Sequence, residues 1–407
     1  MIVGIIGGGA SGMMAALWAC REPTNRVILY ERQSRLGRKL MATGNGRCNL
    51  SNRVAAPSHY HGADPAFTAP ALDAFGVDAA LDYFASLGLL TVEEPDGKLY
   101  PFSDQANSVV DVLRLALENS SCELRLGCEI ASVTRRKGSF YVSYEGGCDR
   151  LDRVIVACGG LAGAQLGGVG SGYAILKSFG HRCTKLYPAL VQLRTDRTWV
   201  RSLKGVRCDA HVELLCDGNV IAAESGEVQF TDFGISGPCV FSLARACAGC
   251  TGEMEAVLDL CPCLGFDELC GRLSDRVGRF PDLSLENFLT GLLHNRLGRT
   301  LLRECGLGLE APLSSLRAQD VKKIAHHIKH FRLPVLGPMD LAQAQVTAGG
   351  ICTSEFDPVT MESRLVPGLF ATGEVLDIDG DCGGFNLQWA WSSGRAAGLA
   401  QCREGSV

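Results

Sequence analysis

The chain has 407 residues, 39 Lys and Arg against 44 Asp and Glu, and 19 Cys. The length suggests two or three domains, and 46% hydrophobic with 20% charged residues excludes wholesale disorder. A net charge of −5 argues against a broad phosphate-binding face for nucleic acid, and 49 glycines without a Gly-X-Y period imply tight turns and close backbone–ligand contacts.

Residues 2–6 (IVGII) read as a buried strand, followed by GGGASG, the apolar helix MMAALWAC and a second strand, VILYE (27–31). The first twenty residues carry no charged side chain, yet they lack a basic leader region and glycines interrupt them, so neither a signal peptide nor a membrane span is expected. Residues 72–90 and 105–119 predict helices, 123–134 and 139–145 predict strands about a turn at Lys137-Gly138, and VIVACGG (154–160) predicts another buried strand. From about 187 to 261 the texture is β-rich, with Asp217-Gly218 as a hairpin turn. It then turns helical, with Val321, Ile324, Ala325, Ile328 and Phe331 on one helix face and HHIKH on the other. The tail returns to α/β: QVTAGGI, GLFATGE and a glycine-led helix, GGFNLQWAWSSGRAAGLA. The expected organisation is α/β, with a discontinuous nucleotide-binding domain (1–186 and 340–407), a β-rich insertion (187–262) and a helical insertion (263–339). The cysteines are odd in number and scattered through apolar runs, which fits free thiols in a reducing cytoplasm.

Gly7-x-Gly9-x-x-Gly12 follows a strand and opens a helix, and Glu31 ends the next strand. Gly7 permits the turn, Gly9 lets the backbone approach a pyrophosphate, Gly12 allows close packing, and Glu31 can accept from a ribose diol. The helix N-terminus presents free amides to the phosphates. LGRKLMATGNGRCN (36–49), with Arg38, Lys39 and Arg47, suits a loop wrapping a second nucleotide half. Glu374, after Gly373 at a strand end, suits a ribityl hydroxyl, and the helix opened by Gly384-Phe385-Asn386 suits a flavin N1–C2=O edge. FAD is therefore expected over NAD. Cys48, beside Arg47, is the candidate catalytic thiol; its other reading is a packing residue. Cys247, Cys250, Cys261 and Cys263 read as structural cysteines rather than metal ligands, and His326, His327 and His330 as a polar face.

TGNGRCNLSN (43–52), with GGGASG before it and GGFNLQWAWSSG at the far end, resembles the BaiN/YhiN-type bacterial flavoproteins, also described as aminoacetone-oxidase-like NAD(P)/FAD-dependent oxidoreductases. The resemblance spans nearly the whole chain. It implies an FAD-binding, Rossmann-like fold of the two-dinucleotide type, with an inserted β-barrel-like domain and a helical domain. It carries FAD contacts onto Gly7, Gly9, Ser11, Gly12, Glu31, Arg32, Lys39, Thr43, Gly44, Arg47, Cys48, Asn49, Ile130, Gly373, Glu374, Gly384, Phe385, Asn386 and Leu387. Ala10, Arg38, Gly46, Ala157, Gly159 and Gly160 complete the candidate set. In one departure from the family pattern, Ser171 stands where an Asp is usual. The acidic stretch 377–384 reads as a screen against anionic substrates or as a solvated turn.

The expected activity is hydride transfer between flavin N5 and a small organic substrate, with NAD(P)H-driven reduction of an activated C=C as its specific form. NAD(P)H would visit transiently, and neither nucleic acid nor membrane is an expected partner. The alternatives are a flavin-dependent tRNA-modifying enzyme and a structural or sensory flavoprotein.

Overall fold

The computed structural model describes residues 1–402. Two compact units divide the chain: Met1–Tyr187 with the segment from Leu341 onward, and Pro188–Asp340.

The first unit is built on a five-stranded parallel sheet. Strand β1 (Ile2–Ile6) lies between β2 (Arg26–Glu31) and β4 (Arg153–Val156), β3 (Glu123–Leu126) extends the sheet beyond β2, and β5 (Leu369–Ala371) extends it beyond β4. An inner parallel strand is covered on both faces, which is why IVGII and VILY are continuous apolar runs rather than alternating ones. Helix α1 (Ala10–Ala19) follows β1, and every residue from Ser11 to Ala19 is buried, so its unbroken apolar surface is covered on all sides. Helix α2 (Ala106–Glu118) buries Val109, Val110, Leu113 and Leu117 at helical spacing. A three-stranded antiparallel sheet (Ile130–Arg136, Ser139–Tyr144, Gly147–Leu151) separates β3 from β4. Helix α3 (Ser171–Ser178) follows β4, and α4 (Phe385–Leu399) ends the fold. α4 packs on α1 at backbone distance: a Cβ at Gly394 would stand 2.4 Å from the Ser11 carbonyl oxygen, and one at Gly398 2.4 Å from that of Ala15.

Two elements of this unit differ from expectation. The helix expected over 72–90 is two helices, Ala69–Ala74 and Val77–Ser86, because the chain leaves helical geometry at Phe75 and Gly76 caps the second. The strand expected over 123–134 breaks at Gly127, whose φ of +65° turns the chain from the parallel sheet into the antiparallel one.

The second unit contains a closed six-stranded barrel. In spatial order its strands are Leu193–Thr195, Gly234–Ser236, Asn219–Phe230, Arg207–Cys216, Met254–Asp259 and Phe331–Pro338. Asp217 and Gly218 both have positive φ (49° and 78°), making the hairpin turn that the dipeptide predicts. Helices Phe266–Arg279, Asn295–Glu304 and Ala318–Lys329 precede the last barrel strand. Val321, Ile324, Ala325 and Ile328 are buried as their spacing predicts, but Phe331 opens the strand, where Phe331, Leu333, Val335 and Gly337 alternate inward. His326 and His330 are exposed.

Cys216 and Cys250 form a disulfide, contrary to the expectation of free thiols throughout, and the other cysteines are free. Cys261 and Cys263 sit sulfur to sulfur at 3.9 Å. Among the described residues no helix is long and apolar enough to cross a membrane.

Candidate cofactor site

The candidate residues gather at the carboxyl ends of β1, β2, β4 and β5, the edge where open parallel sheets hold ligands. The three motif glycines have different reasons. A Cβ on Gly7 would stand 2.4 Å from the Ala157 carbonyl oxygen, and one on Gly12 only 1.8 Å from that of Gly7, so the fold itself requires both. Gly9 has φ −81° and extended ψ, and its Cβ would meet nothing within 4 Å. Nothing in the protein demands glycine there, while the space in front of it faces the first turn of α1. No acidic residue or side-chain cap occupies that turn, so the amides of Ala10, Ser11 and Gly12 have no intrahelical acceptor.

Glu31 ends β2, and its carboxylate accepts from Gly8 N at 2.8 Å and Gln33 N at 2.7 Å, which places it against the glycine turn. Arg32 is half-buried, whereas Arg38 is exposed and donates to Gln33 Oε1 at 2.8 Å. Lys39 Nζ pairs with Glu374 Oε2 at 2.7 Å, joining the segment after β2 to the turn after β5, and Glu374 Oε1 accepts from Thr347 N at 2.9 Å. Beside them Gly160 has no room for a side chain: a Cβ would stand 2.4 Å from Thr347 Oγ1 and 2.5 Å from Glu374 Oε1. Ala157 is buried at the end of β4, and Gly159 adopts φ +69°. The turn into Ile130 bonds the end of β2, Cys128 N to Glu31 O at 2.9 Å; Ile130 opens the next strand.

The segment Leu40–Gly46 is a broken 3-10 turn, with Thr43 extended and Gly44 and Asn45 left-handed, and Cys48 is left-handed too, at φ 61°. Of the two readings of Cys48, its surroundings support the packing residue. Arg47 donates to Asp104 and, at 2.7 Å, to Glu94, and its guanidinium lies 4.0 Å from the Tyr100 ring centre, so it is committed to those partners. Cys48 is fully buried, and burial pushes its thiol up to about 12, which leaves the protonated, unreactive form. Next to it, Asn49 Oδ1 is buried without a hydrogen-bond partner, 2.8 Å from where a Cβ on Gly384 would stand.

Gly384 (φ 101°) opens α4, and a Cβ there would stand 2.4 Å from the Ser51 carbonyl oxygen. The first intrahelical bond reaches Gly384 O from Gln388 N, so the amides of Phe385, Asn386 and Leu387 precede the ladder. The Asn386 side chain is committed elsewhere: it accepts from Gly380 N at 2.9 Å and donates to Gly380 O at 2.8 Å.

Sequence reasoning missed the residues that hold these segments in place. Trp391 Nε1 donates to Leu50 O at 2.9 Å, Ser51 Oγ donates to Gln388 Oε1 at 2.6 Å, and Trp389 Nε1 donates to Gly373 O at 3.2 Å. It also missed His59, His61 and Asp381, which meet beside α4: His59 Nδ1 lies 3.0 Å from Asp381 Oδ2, and His61 Nε2 lies 2.7 Å from Asp381 Oδ1. The acidic stretch 377–384 is not a solvated turn, since Asp377 and Asp379 are 3% and 1% exposed. The glycine pair Gly383-Gly384 did mark the start of α4; the contacts that join it to residues 50–61 span more than 300 residues and leave no local signal.

The family model described as HI0933-like protein Rossmann domain matches residues 1–400. Over 402 residues, 98% of this chain and 98% of the relative, the chain is 39% identical to the 3-dehydro-bile acid delta(4,6)-reductase of Clostridium scindens. It is 32% identical over 397 residues (96% and 95%) to the ribosomal RNA dihydrouridine synthase of Escherichia coli. It is 28% identical over 407 residues (98% and 98%) to the protein of the same name from Haemophilus influenzae. Carried by a match across almost its full length, the chain belongs to the HI0933-like Rossmann family.

Proposed function

We propose that the chain is an FAD-dependent reductase that saturates a C=C bond conjugated with a carbonyl in a small organic substrate, drawing electrons from NAD(P)H. The observation that carries this reading is a pair of helix N-termini, one at the open space beside Gly9 and one beside the buried, unpartnered Asn49 Oδ1. The amides of α1 face the open space at Gly9, which suits a pyrophosphate. Those of α4 lie beside the unpartnered Asn49 Oδ1, which suits the C2=O acceptor and N3–H donor of an isoalloxazine edge. A nicotinamide dinucleotide fills only the first as well. Glu31 and Glu374 offer carboxylate oxygens suited to sugar-like hydroxyls, and Lys39 pairs with Glu374.

FAD bound there supplies reversible hydride chemistry. The chain's own residues bind and orient it, and the α4 amides favour negative charge at the edge they face. The names of the relatives describe related bonds: a 3-dehydro compound with a Δ4 bond is a conjugated enone, and the C5=C6 bond of uridine is conjugated with a carbonyl. The 39% identity to the bile acid reductase and the net charge of −5 favour the small molecule over a polyanion. The 32% identity to an RNA-modifying enzyme supports uridine in RNA as the second reading.

The test is anaerobic spectroscopy of the purified protein. NADH or NADPH is expected to bleach a yellow flavin, and a 3-oxo-Δ4 steroid to restore the colour; restoration by uridine-containing RNA alone would select the second reading. A colourless protein that takes up no FAD would overturn both.

A further inference from the structure

Reducing a C=C bond conjugated with a carbonyl needs a proton as well as a hydride, and the geometry points to His59, held by Asp381 and His61, as the group that delivers it. This rests on the reductase reading above. Strand Tyr60–His61 pairs antiparallel with Asp379–Gly380, which brings both imidazoles to one carboxylate. Because His59 bonds Asp381 through Nδ1, its free nitrogen is Nε2; because His61 bonds through Nε2, its free nitrogen is Nδ1. The His59 ring stacks on Phe385, the first residue of α4, with centres 4.5 Å apart and planes 18° from parallel. It therefore sits against the first turn of α4, and its side chain is 33% exposed, open to solvent.

The imidazoles are not needed to hold this turn. Asp381 N already donates to His59 O at 3.0 Å, and Asn386 clasps Gly380. The other acids nearby are unsuited. Cys48 is buried and pushed up, and the Tyr173 phenol is buried and pushed up as well. Tyr60 donates to Phe385 O at 3.0 Å, Lys39 is paired with Glu374, and Arg47 with Glu94 and Asp104. Around the cluster stand Asp377, which accepts from Ala63 N, Asp379 opposite His61, and Lys98, paired with Asp96 and close to Gly383. Burial pushes the Asp381 carboxyl up, but its bonds to His61 and His59 outweigh this and hold it below the usual range, so it remains a charged partner for the two rings.

The step balances as follows. The C=C π bond breaks, a hydride from the reduced cofactor forms a C–H bond at the carbon β to the carbonyl, and the His59 Nε2 proton forms one at the α carbon. His59 is left as neutral imidazole with Nδ1–H on Asp381, and solvent restores the proton. The two electrons come from NAD(P)H through the cofactor.

The experiment compares wild type, His59→Gln and Asp381→Asn, each loaded with FAD and reduced anaerobically. Reduced enzyme is mixed with androst-4-ene-3,17-dione, uridine-containing RNA or benzoquinone; the last takes electrons without forming a C–H bond. His59→Gln is expected to bind FAD with an unchanged spectrum, to be reduced and to reduce benzoquinone within about twofold of wild type, and to slow alkene reduction about 100-fold or more. Asp381→Asn is expected to slow the same step selectively by about tenfold. Nitrogen-15 NMR of the cofactor-free wild type is expected to show the Nδ1–H tautomer of His59, lost in Asp381→Asn. Alkene reduction at the wild-type rate in His59→Gln, or equal slowing with benzoquinone, would overturn the assignment while leaving the reductase reading intact. If neither alkene reoxidises wild type, the reductase reading falls and takes the assignment with it.

Discussion

Gly9 and Gly12 belong to one motif but answer to different partners, and a methyl group at each separates them. At Gly9 the backbone is extended at φ −81° and a Cβ meets no heavy atom within 4 Å. Alanine there gains about 0.4–1 kcal/mol by restricting the unfolded chain and gives back a similar amount as a poorer N-cap than glycine. Cofactor-free Gly9→Ala should therefore match wild type within about 0.5 kcal/mol. The same methyl enters the space assigned to the pyrophosphate. Losing one hydrogen bond to a charged group costs about 1.5–3 kcal/mol, equivalent to an FAD Kd roughly 10- to 100-fold weaker. At Gly12 the added Cβ would lie 1.8 Å from a backbone oxygen. Overpacking against backbone costs about 3 kcal/mol or more, so Gly12→Ala should be unstable before any cofactor is added. Urea denaturation of the cofactor-free proteins gives the first quantity, and quenching of flavin fluorescence gives the second. Gly9→Ala binding FAD as wild type does would refute the placement of the pyrophosphate; Gly9→Ala unfolding like Gly12→Ala would refute the claim that the space is open.

With its thiol pushed up to about 12, Cys48 should resist maleimide at pH 8 while exposed Cys148 and Cys263 react, and Cys48→Ala should retain turnover within about threefold. Loss of substrate reduction with FAD still bound would restore Cys48 as a catalytic thiol. Trp391→Phe removes the donor to Leu50 O and part of a fully buried ring, so urea denaturation should show a loss of about 1–3 kcal/mol. FAD titration should show binding weakened several-fold, because Leu50 anchors the glycine-rich segment; unchanged affinity would mean that segment does not hold the cofactor. Burial pushes the Glu355 carboxyl up, but bonds from Arg182 and His181 outweigh it and hold it below the usual range. Its stabilising effect is complete above the ordinary carboxylate value of about 4.3 and is lost as pH falls through the lower folded value. Stability between pH 4 and 2 should thus fall less steeply in Glu355→Gln than in wild type, and identical slopes would count against the clasp.

The parts of the fold legible in the sequence are those whose cause is local. The glycine turn between β1 and α1, the acidic end of β2, the α2 face and the Asp217-Gly218 hairpin each need only neighbouring residues to declare themselves. Phe331 extended the i, i+3, i+4 pattern of its helix, yet the chain leaves helical geometry at His330 (φ −142°, ψ 58°) and the next eight residues alternate as a barrel strand. Arg47 and Cys48 are adjacent in sequence, but the left-handed turn at Cys48 and the distant carboxylates Glu94 and Asp104 draw the guanidinium to its own partners. Composition makes the stretch 377–384 look solvated; burial among residues from the other end of the chain reverses that. The pair His59–Asp381 spans 322 residues and Trp391–Leu50 spans 341, distances at which spacing rules say nothing.

The glycine contacts between α4 and α1 bear on how the protein is made. Ser11 and Ala15 leave the ribosome well before Gly394 and Gly398, their partners at the other end of the fold. Strand β4 likewise waits for β5, its Val154 pairing with Leu369. Until then β4 is an unpaired sheet edge, α1 lacks its main cover, and the N-terminus of α4 is not in place. Closing loops of this length is slow, so the nascent chain passes through a long interval with exposed apolar surface. A site of this build is complete only once α4 has docked, so cofactor supply acts on whether a finished chain stays folded, rather than on whether it begins to fold.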